Sequence, residues 1–223
     1  EYWRDWSSDV CSSDLTGINN IFIGRCAGYS NTFGGSNNFF GRYAGCVNTT
    51  GGNNNFIGNV SGCSNTFGSF NNFFGILSGA KNTTGCYNNF LGNRAGFSNT
   101  TGNHNFFGGY TAGFNNTTGT NNNFFGCAAG YNNTTGNNNN FIGQCAGYSN
   151  TFGGYNQFIG AFAGLCNTTG NCNNFIGRYA GRNNTIGNHN NFFGNATGLS
   201  NTTDRKSTRL NSVTPISRMP SSA

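Results

Sequence analysis

The chain has 223 residues, of which only 7% are charged and 37 are Gly, so its composition is not that of an ordinary globular domain. All five acidic residues lie outside residues 16–203, whereas six scattered cations inside that segment account for the net charge of +6. A segment without Asp or Glu excludes paired-carboxylate catalysis and carboxylate calcium sites, and cations without a run or a common face do not predict nucleic-acid binding. No apolar run reaches the roughly 18 residues of a membrane span.

The two ends of the chain differ from the middle. "DWSSDVCSSDL", Asp5 to Leu15, and "DRKSTRLNS", Asp204 to Ser212, look like translations of the adapter oligonucleotides of short-read DNA sequencing. We therefore expect residues 1–15 and 204–223 to be adapter-derived and disordered, and we leave them out of the fold prediction. Residues 16–203 are expected to form the folded domain, with the repeat array cut after Thr203.

The middle of the chain is an internal repeat. A Gly recurs at every seventeenth position from Gly17 to Gly187, and two more Gly columns run in step with it, from Gly24 to Gly194 and from Gly28 to Gly198. The unit reads G-x-x-N-N-F-[IF]-G-x-x-A-G-x-x-N-T-[TF] and occurs eleven times. We number its positions as columns 1 to 17, with Gly17 in column 1, and its copies as coils 1 to 11. In coil 6, "GNHNFFGGYTAG" is interpreted as a copy in which Phe106, Phe107 and Gly108 come one step early.

This period predicts an all-β parallel β-solenoid, or β-roll, of eleven 17-residue coils. Helical repeats need about 30 residues or more, and three Gly per unit would each cost a helix roughly 1 kcal/mol. Equivalent columns of successive coils then stack about 4.8 Å apart. The segment N-N-F-[IF]-G is the predicted strand, and N-T-[TF] is a second short strand or a strand-like corner.

Individual columns carry further predictions. Gly in columns 1, 8 and 12 allows positive φ or close backbone approach at bends. The invariant Asn residues of columns 4 and 15 predict ladders in which each side-chain amide forms hydrogen bonds, as donor and as acceptor, with the next coil. Columns 6 and 7 are both apolar, yet neighbouring strand residues point to opposite faces. If Phe175 is inside, Ile176 faces outward, or the reverse; alternatively a narrow coil bends and buries both. An outward stripe would predict self-association of the chain.

Cys and His residues do not form a recognisable site. The eight Cys of the repeat occupy six columns without a Cys-x-x-Cys pair, which argues against a structural zinc site. Cys46 and Cys63 share column 13 in consecutive coils and could lie near each other, so a disulfide between them stays open. His104 and His189 share a column five coils apart, too far to act together. We therefore predict no enzyme activity and no catalytic, cofactor-binding or metal-binding residues, and no cofactor.

The unit "NNFIGRYAG" followed by "NTTG" resembles the parallel β-roll repeats in the heads of bacterial trimeric autotransporter adhesins. It is also similar to the Asn-Thr-Thr-Gly and Asn-Asn-Phe-Ile-Gly repeats of predicted bacterial and phage surface or tail-fibre proteins. The adhesin coils are shorter and lack the bulky Phe column. The resemblance covers residues 16–203 and implies an extended fibre segment on a cell or virion surface, acting as a rigid spacer or adhesin. The implied partners are further copies of the chain, a trimer among the options, and a surface glycan or host-surface ligand.

Two other functions remain open at this stage. The Thr column from Thr32 to Thr202 could bind ice or a crystalline surface, although its neighbour, column 17, mixes Thr with residues such as Phe33 and Ile186. An Asn-rich segment could also self-assemble into cross-β structure.

Overall fold

The computed structural model describes residues 16–203 and 209–210, and it is an all-β parallel solenoid, as the sequence predicts. The strands form a single sheet in which each strand pairs with the next along the chain. They are β1 (Ile21–Ile23), β2 (Asn38–Phe40), β3 (Asn55–Ile57), β4 (Asn72–Phe74), β5 (Asn89–Leu91), β6 (Phe106–Gly108), β7 (Asn123–Phe125), β8 (Asn140–Ile142), β9 (Gln157–Ile159), β10 (Asn174–Ile176), β11 (Asn191–Phe193) and β12 (Arg209–Leu210).

Every coil contributes one strand, from columns 5 to 7, and the register never slips. Phe39 pairs with Phe56, and Phe56 pairs with Phe73, so each residue faces its equivalent in the next coil. The rings of these successive Phe residues are stacked 4.8 Å apart. Ten such steps make the eleven coils a rod about 48 Å long, the spacing expected for stacked strands.

The core is a single column of stacked Phe rings. From Phe39 to Phe192 every Phe of column 6 is completely buried, and the small side chains of column 11, mostly Ala, are buried beside it. Column 12 Gly makes room for the ring, because a Cβ on Gly45 would lie 2.5 Å from Cε2 of Phe39. The large Phe is therefore matched by a Gly six positions later in the same coil.

The Asn side chains of columns 4 and 15 meet at one carbonyl in each of coils 1 to 10. The Gly51 carbonyl oxygen accepts from Nδ2 of Asn37 at 2.9 Å and from Nδ2 of Asn48 at 2.9 Å. The Asn48 amide also donates to Oδ1 of Asn31 at 2.7 Å, which makes column 15 the predicted amide ladder. Column 4 differs, since Oδ1 of Asn37 accepts from the backbone N–H of Asn54 at 3.0 Å.

Gly is needed in column 1 because neighbouring atoms lie close to its Cα, and not because its φ is positive. A Cβ on Gly51 would lie 2.6 Å from Oδ1 of Asn48, and close to the Gly68 carbonyl of the next coil. Gly in columns 8 and 12 does adopt positive φ, as in Gly58 (141°) and Gly62 (55°). Columns 8 and 12 therefore combine positive φ with close approach of neighbouring atoms, whereas column 1 shows close approach alone.

Columns 16 and 17 form a corner and not a strand. The backbone N–H groups of Thr49, Thr50 and Gly51 all donate to the carbonyl of Thr66, at 3.0, 3.2 and 3.3 Å. Three donors converging on one acceptor cannot form an extended ladder, because a ladder pairs each donor with its own acceptor. Of the two predicted forms, the corner is the one observed.

Coil 6 keeps the register, so the prediction that its motif comes one step early is wrong. Phe107 lies in column 6 and is fully buried, paired with Phe90 and Phe124. Phe106 and Gly108 are therefore substitutions in columns 5 and 7. The backbone pairing and the stacked core hold the coil in place, whatever occupies the outward columns.

Two non-Gly columns adopt left-handed backbone in all eleven coils. Columns 3 and 10 have φ between 52° and 61° throughout, and they include the β-branched residues Val60 and Thr111. Most residues avoid this conformation, although Asn tolerates it. Asn occupies column 3 in only four coils. The residue types of columns 3 and 10 therefore give little indication of the left-handed backbone.

At the far end of the sheet, β12 pairs with β11 through Phe192 with Arg209 and Phe193 with Leu210. These partners are again one repeat period apart in the chain. Residues 1–15, 204–208 and 211–223, which make up the rest of the two ends expected to be adapter-derived, lie outside the described residues.

Candidate functional site

The outer side of the sheet carries an apolar stripe formed by column 7, as one of the two predicted orientations requires. Phe73 is 0% exposed, whereas the next residue, Phe74, is 38% exposed. Six of the eleven column 7 residues are 36–56% exposed: Ile23, Ile57, Phe74, Leu91, Phe125 and Ile142. The alternative in which both apolar columns are tucked inside is therefore wrong.

Beside this apolar stripe runs a partial amide ladder in column 5. Nδ2 of Asn38 donates to Oδ1 of Asn55 at 2.7 Å, and Nδ2 of Asn55 donates to Oδ1 of Asn72 at 2.7 Å. The ladder is interrupted at coil 6, where Phe106 replaces Asn, and it resumes where Nδ2 of Asn123 donates to Oδ1 of Asn140 at 3.1 Å. The outer sheet face therefore presents one polar and one apolar row, both parallel to the rod axis.

Coil 6 interrupts both rows at once. Gly108 leaves a gap in the apolar stripe, and the Phe125 ring leans over it, so that a Cβ on Gly108 would lie 2.7 Å from Cδ2 of Phe125. The rings of Phe106 and Phe125 are parallel, with centroids 6.1 Å apart. The lost side chain in column 7 is thus compensated by an aromatic side chain in column 5 of the same coil.

Aromatic side chains also form ladders elsewhere on the surface, which the sequence analysis did not single out. One runs through Phe70, Tyr87 and His104, with centroids 4.9 Å apart. The other is in column 13 and contains Phe97, Phe114, Tyr131 and Tyr148, 5.0–5.1 Å apart. The signal that reveals them is the recurrence of an aromatic residue 17 positions apart in three or four consecutive coils.

These ladders expose ring edges and cover ring faces. Interplanar angles of 1–2° along Phe70, Tyr87 and His104 mean that each inner ring lies flat against its neighbours. A sugar or a nucleobase stacks on an open ring face. Inside the ladders that face is already occupied, so the surface aromatics do not offer a row of stacking platforms.

Four of the six cations of residues 16–203 lie over aromatic rings. The Arg42 guanidinium lies 4.8 Å from the centroid of the Tyr43 ring, and the Lys81 ammonium lies 5.0 Å from that of Phe97. Arg178 and Arg182 both approach Tyr179, at 4.6 and 5.5 Å. Arg178 and Arg182 share one ring, whereas Arg42 and Lys81 are in other coils, so no continuous basic strip runs along the rod.

The Thr column uses its hydroxyls inside the fold. The Thr49 hydroxyl donates to the Thr66 carbonyl at 3.1 Å, and the Thr66 hydroxyl donates to the Thr83 carbonyl at 3.1 Å. The same contact recurs up to Thr185. The side chains of column 16 are mostly half-buried. The exposed neighbouring column 17 is interrupted by Phe33, Phe67 and Phe152.

Cys46 and Cys63 lie next to each other in column 13, as their spacing predicts, and both are free thiols in the structure. Sγ of Cys46 donates to the Cys63 carbonyl at 3.3 Å, and Sγ of Cys63 donates to the Ala80 carbonyl at 3.3 Å. The neighbouring Cys46 thiol lowers the pKa of Cys63 to about 7, and the neighbouring Cys63 thiol raises the pKa of Cys46. Of the two His, His104 is stacked on Tyr87.

Within residues 16–203 and 209–210, no three His, Cys, Asp or Glu side chains are close enough to hold a metal ion together. That same part of the chain has no helix with the length and hydropathy to cross a membrane. The surface therefore presents rows of equivalent side chains, a thiol pair and isolated cations.

Comparison of the chain with protein-family models, curated proteins and solved structures gives no match.

Proposed function

We propose that the chain is a non-enzymatic segment of an exported surface fibre, in which the solenoid acts as a rigid spacer or adhesive module. The observation that carries the proposal is the unbroken register of the repeat over eleven coils. In such a stack, each additional coil lengthens the rod by about 4.8 Å.

Rigidity is supported by the number of independent ladders that join neighbouring coils. Coils 2 and 3 are linked by strand pairing, by the Phe39 and Phe56 rings and by the amides of Asn48 and Asn65. Bending the rod would have to open several of these ladders in the same place. Closely packed interiors resist such deformation.

Self-association through the outer sheet face is the second part of the proposal. A three-residue strand is about 10 Å long, so a stripe about 48 Å long covers roughly 500 Å² per partner. A pair of copies would bury about 1,000 Å², which is about the area that a biological interface must exceed. Association is therefore expected to strengthen with each added coil, which suits a fibre of many repeats.

An adhesive role would belong to the exposed columns whose residues vary from coil to coil. Column 9, for example, holds Arg42, Asn59 and Ile76 in successive coils. Variation there leaves the Phe core and the Asn ladders unchanged. A surface glycan or host-surface ligand is the class of partner that such a variable exterior would recognise.

Electron microscopy and small-angle X-ray scattering of the full chain test the fibre proposal. We expect rods whose length increases by about 4.8 Å for each repeat unit added by tandem duplication. A compact sphere of unchanged shape, or a flexible chain without β signal, would contradict it.

Analytical ultracentrifugation tests the association. Ile142→Lys places a charge on the apolar stripe and should weaken any self-association by about tenfold or more. Ile186→Lys is the matched control, because Ile186 is at least as exposed but lies in column 17. Equal effects of the two substitutions would show that the stripe is not the interface.

A further inference from the structure

Two thiols stand side by side in column 13 of coils 2 and 3, and no part of the proposed spacer function uses them. Cys46 and Cys63 are both half-buried free thiols. Each Sγ makes the same contact, 3.3 Å to the carbonyl of the residue 17 positions later. Identical contacts in consecutive coils mean that the two side chains adopt equivalent rotamers.

Equivalent rotamers fix the direction and length of the vector between the two sulfurs. Atoms related by one coil are separated by the stacking distance, which is 4.8 Å between Phe39 and Phe56 in the same two coils. The Sγ atoms are therefore expected to lie about 4.8 Å apart along the rod axis. The solenoid backbone, and not a flexible loop, sets this spacing.

That spacing suits a bridging ion better than a disulfide. A disulfide needs Cβ atoms about 3.5–4.5 Å apart, whereas parallel side chains in stacked coils keep their Cβ atoms at the coil distance. Metal–thiolate bonds are about 2.3 Å long in zinc sites, so sulfurs on opposite sides of one ion are about 4.6 Å apart. Soft thiolates prefer soft ions such as Cu(I).

We propose that Cys46 and Cys63 form a two-coordinate site for a soft monovalent metal ion, Cu(I) or Ag(I), held linearly between the two sulfurs. Binding forms two metal–sulfur bonds and releases the two thiol protons to solvent, so a chain that binds one ion changes its net charge by −1. No electron is transferred. The Ser64 hydroxyl, 3.9 Å from Sγ of Cys63, can turn its proton towards the resulting thiolate.

The test uses Ag⁺ alone as the probe and the full chain with its other cysteines replaced by Ser. The replaced residues are Cys11, Cys26, Cys86, Cys127, Cys145, Cys166 and Cys172. Native mass spectrometry should find one Ag⁺ per chain, and competition with a soluble thiol should measure its affinity. Far-UV circular dichroism checks that the seven replacements leave the β signal intact.

The matched control moves one thiol by a single coil. In this chain Cys63→Ala is combined with Ala80→Cys, so the two thiols stay in column 13 but are two coils apart. One ion cannot span about 9.6 Å with bonds of about 2.3 Å. The control should therefore bind Ag⁺ at least about 100-fold more weakly than the adjacent pair, the advantage that two linked ligands typically give.

Equal affinity in the two chains, or two Ag⁺ bound by the adjacent pair, would overturn the proposal. Should the Cys-poor chain not fold, alkylation of the unmodified chain gives the same answer. There, substoichiometric Ag⁺ should protect Cys46 and Cys63 together before the other cysteines. Protection spread evenly over all the cysteines would overturn the proposal as well.

Discussion

The interior and the exterior of the solenoid follow different rules, although their residues alternate along the same short strands. Inside, column 6 is Phe in all eleven coils and column 15 is Asn in all eleven. Outside, column 7 accepts Ile, Phe, Leu and Gly, and column 9 accepts almost anything. The interior thus defines the coil geometry, and the exterior is free to vary without changing it.

The largest difference between the two regions should appear at the neighbouring residues Phe73 and Phe74. Phe73→Ala removes a fully buried ring from the stacked core and should lower the free energy of unfolding by about 3–5 kcal/mol. Phe74→Ala removes a ring that is 38% exposed and should cost about 1 kcal/mol or less in the monomer. Urea denaturation of both variants measures the difference, and equal losses would mean that the core is not where the structure places it.

The buried amides should rank next. Asn99 donates to Oδ1 of Asn82 at 2.7 Å and to the Gly102 carbonyl at 3.0 Å, and its own Oδ1 accepts from Asn116 at 2.8 Å. Asn99→Ala leaves these partners unsatisfied in a buried site, so a loss of about 2–3 kcal/mol is expected. Asn93→Ala, at an exposed site, is the control and should change stability by less than about 0.5 kcal/mol. A similar loss in both would contradict the ladder.

A smaller effect, of opposite sign, is expected where the backbone is left-handed. Val60 has a φ of 60°, which a β-branched residue rarely adopts, whereas Asn tolerates it. Val60→Asn should therefore raise the free energy of unfolding by about 1 kcal/mol. Val47→Asn makes the same exchange at a site without positive φ, and thermal unfolding should show no such gain there.

The smallest effect on stability is expected when the pH is lowered. Acid unfolding comes mainly from carboxylates that are charged and paired in the folded state. Residues 16–203 contain no Asp or Glu to be protonated. The midpoint of thermal unfolding should therefore stay nearly constant between pH 3 and pH 7. A drop of more than a few degrees would contradict this expectation.

Much of the fold could be predicted because the same 17-residue pattern recurs eleven times. The period, the strand around Phe175 and the amide ladder of column 15 all follow from residues that recur without exception. The orientation of columns 6 and 7 could not be decided from their own residues, since both are apolar. The deciding feature is Gly in column 12, whose missing Cβ leaves space for the Phe ring, and this relation is visible only once the coil is closed.

Other features were missed because the sequence carries little sign of them. Residues such as Val60 and Thr111 do not favour left-handed backbone, so nothing marked column 10 as a bend. In coil 6 the order of Phe106, Phe107 and Gly108 suggests a shift, whereas the backbone follows the pairing of the neighbouring coils. For the surface, the sequence left an outward apolar stripe as one of two alternatives and predicted that Cys46 and Cys63 could be neighbours, but it did not predict the aromatic ladders.

Distances between spin labels along one column test the central claim most directly. Labels on Cys introduced by Asn59→Cys with Gln144→Cys, and by Asn59→Cys with Asn195→Cys, lie in the exposed column 9, five and eight coils apart. With the native cysteines replaced by Ser, double electron–electron resonance should give narrow distributions centred at about 24 Å and about 38 Å, in steps of about 4.8 Å per coil. Broad distributions, or distances that do not grow with the number of intervening coils, would contradict an in-register solenoid.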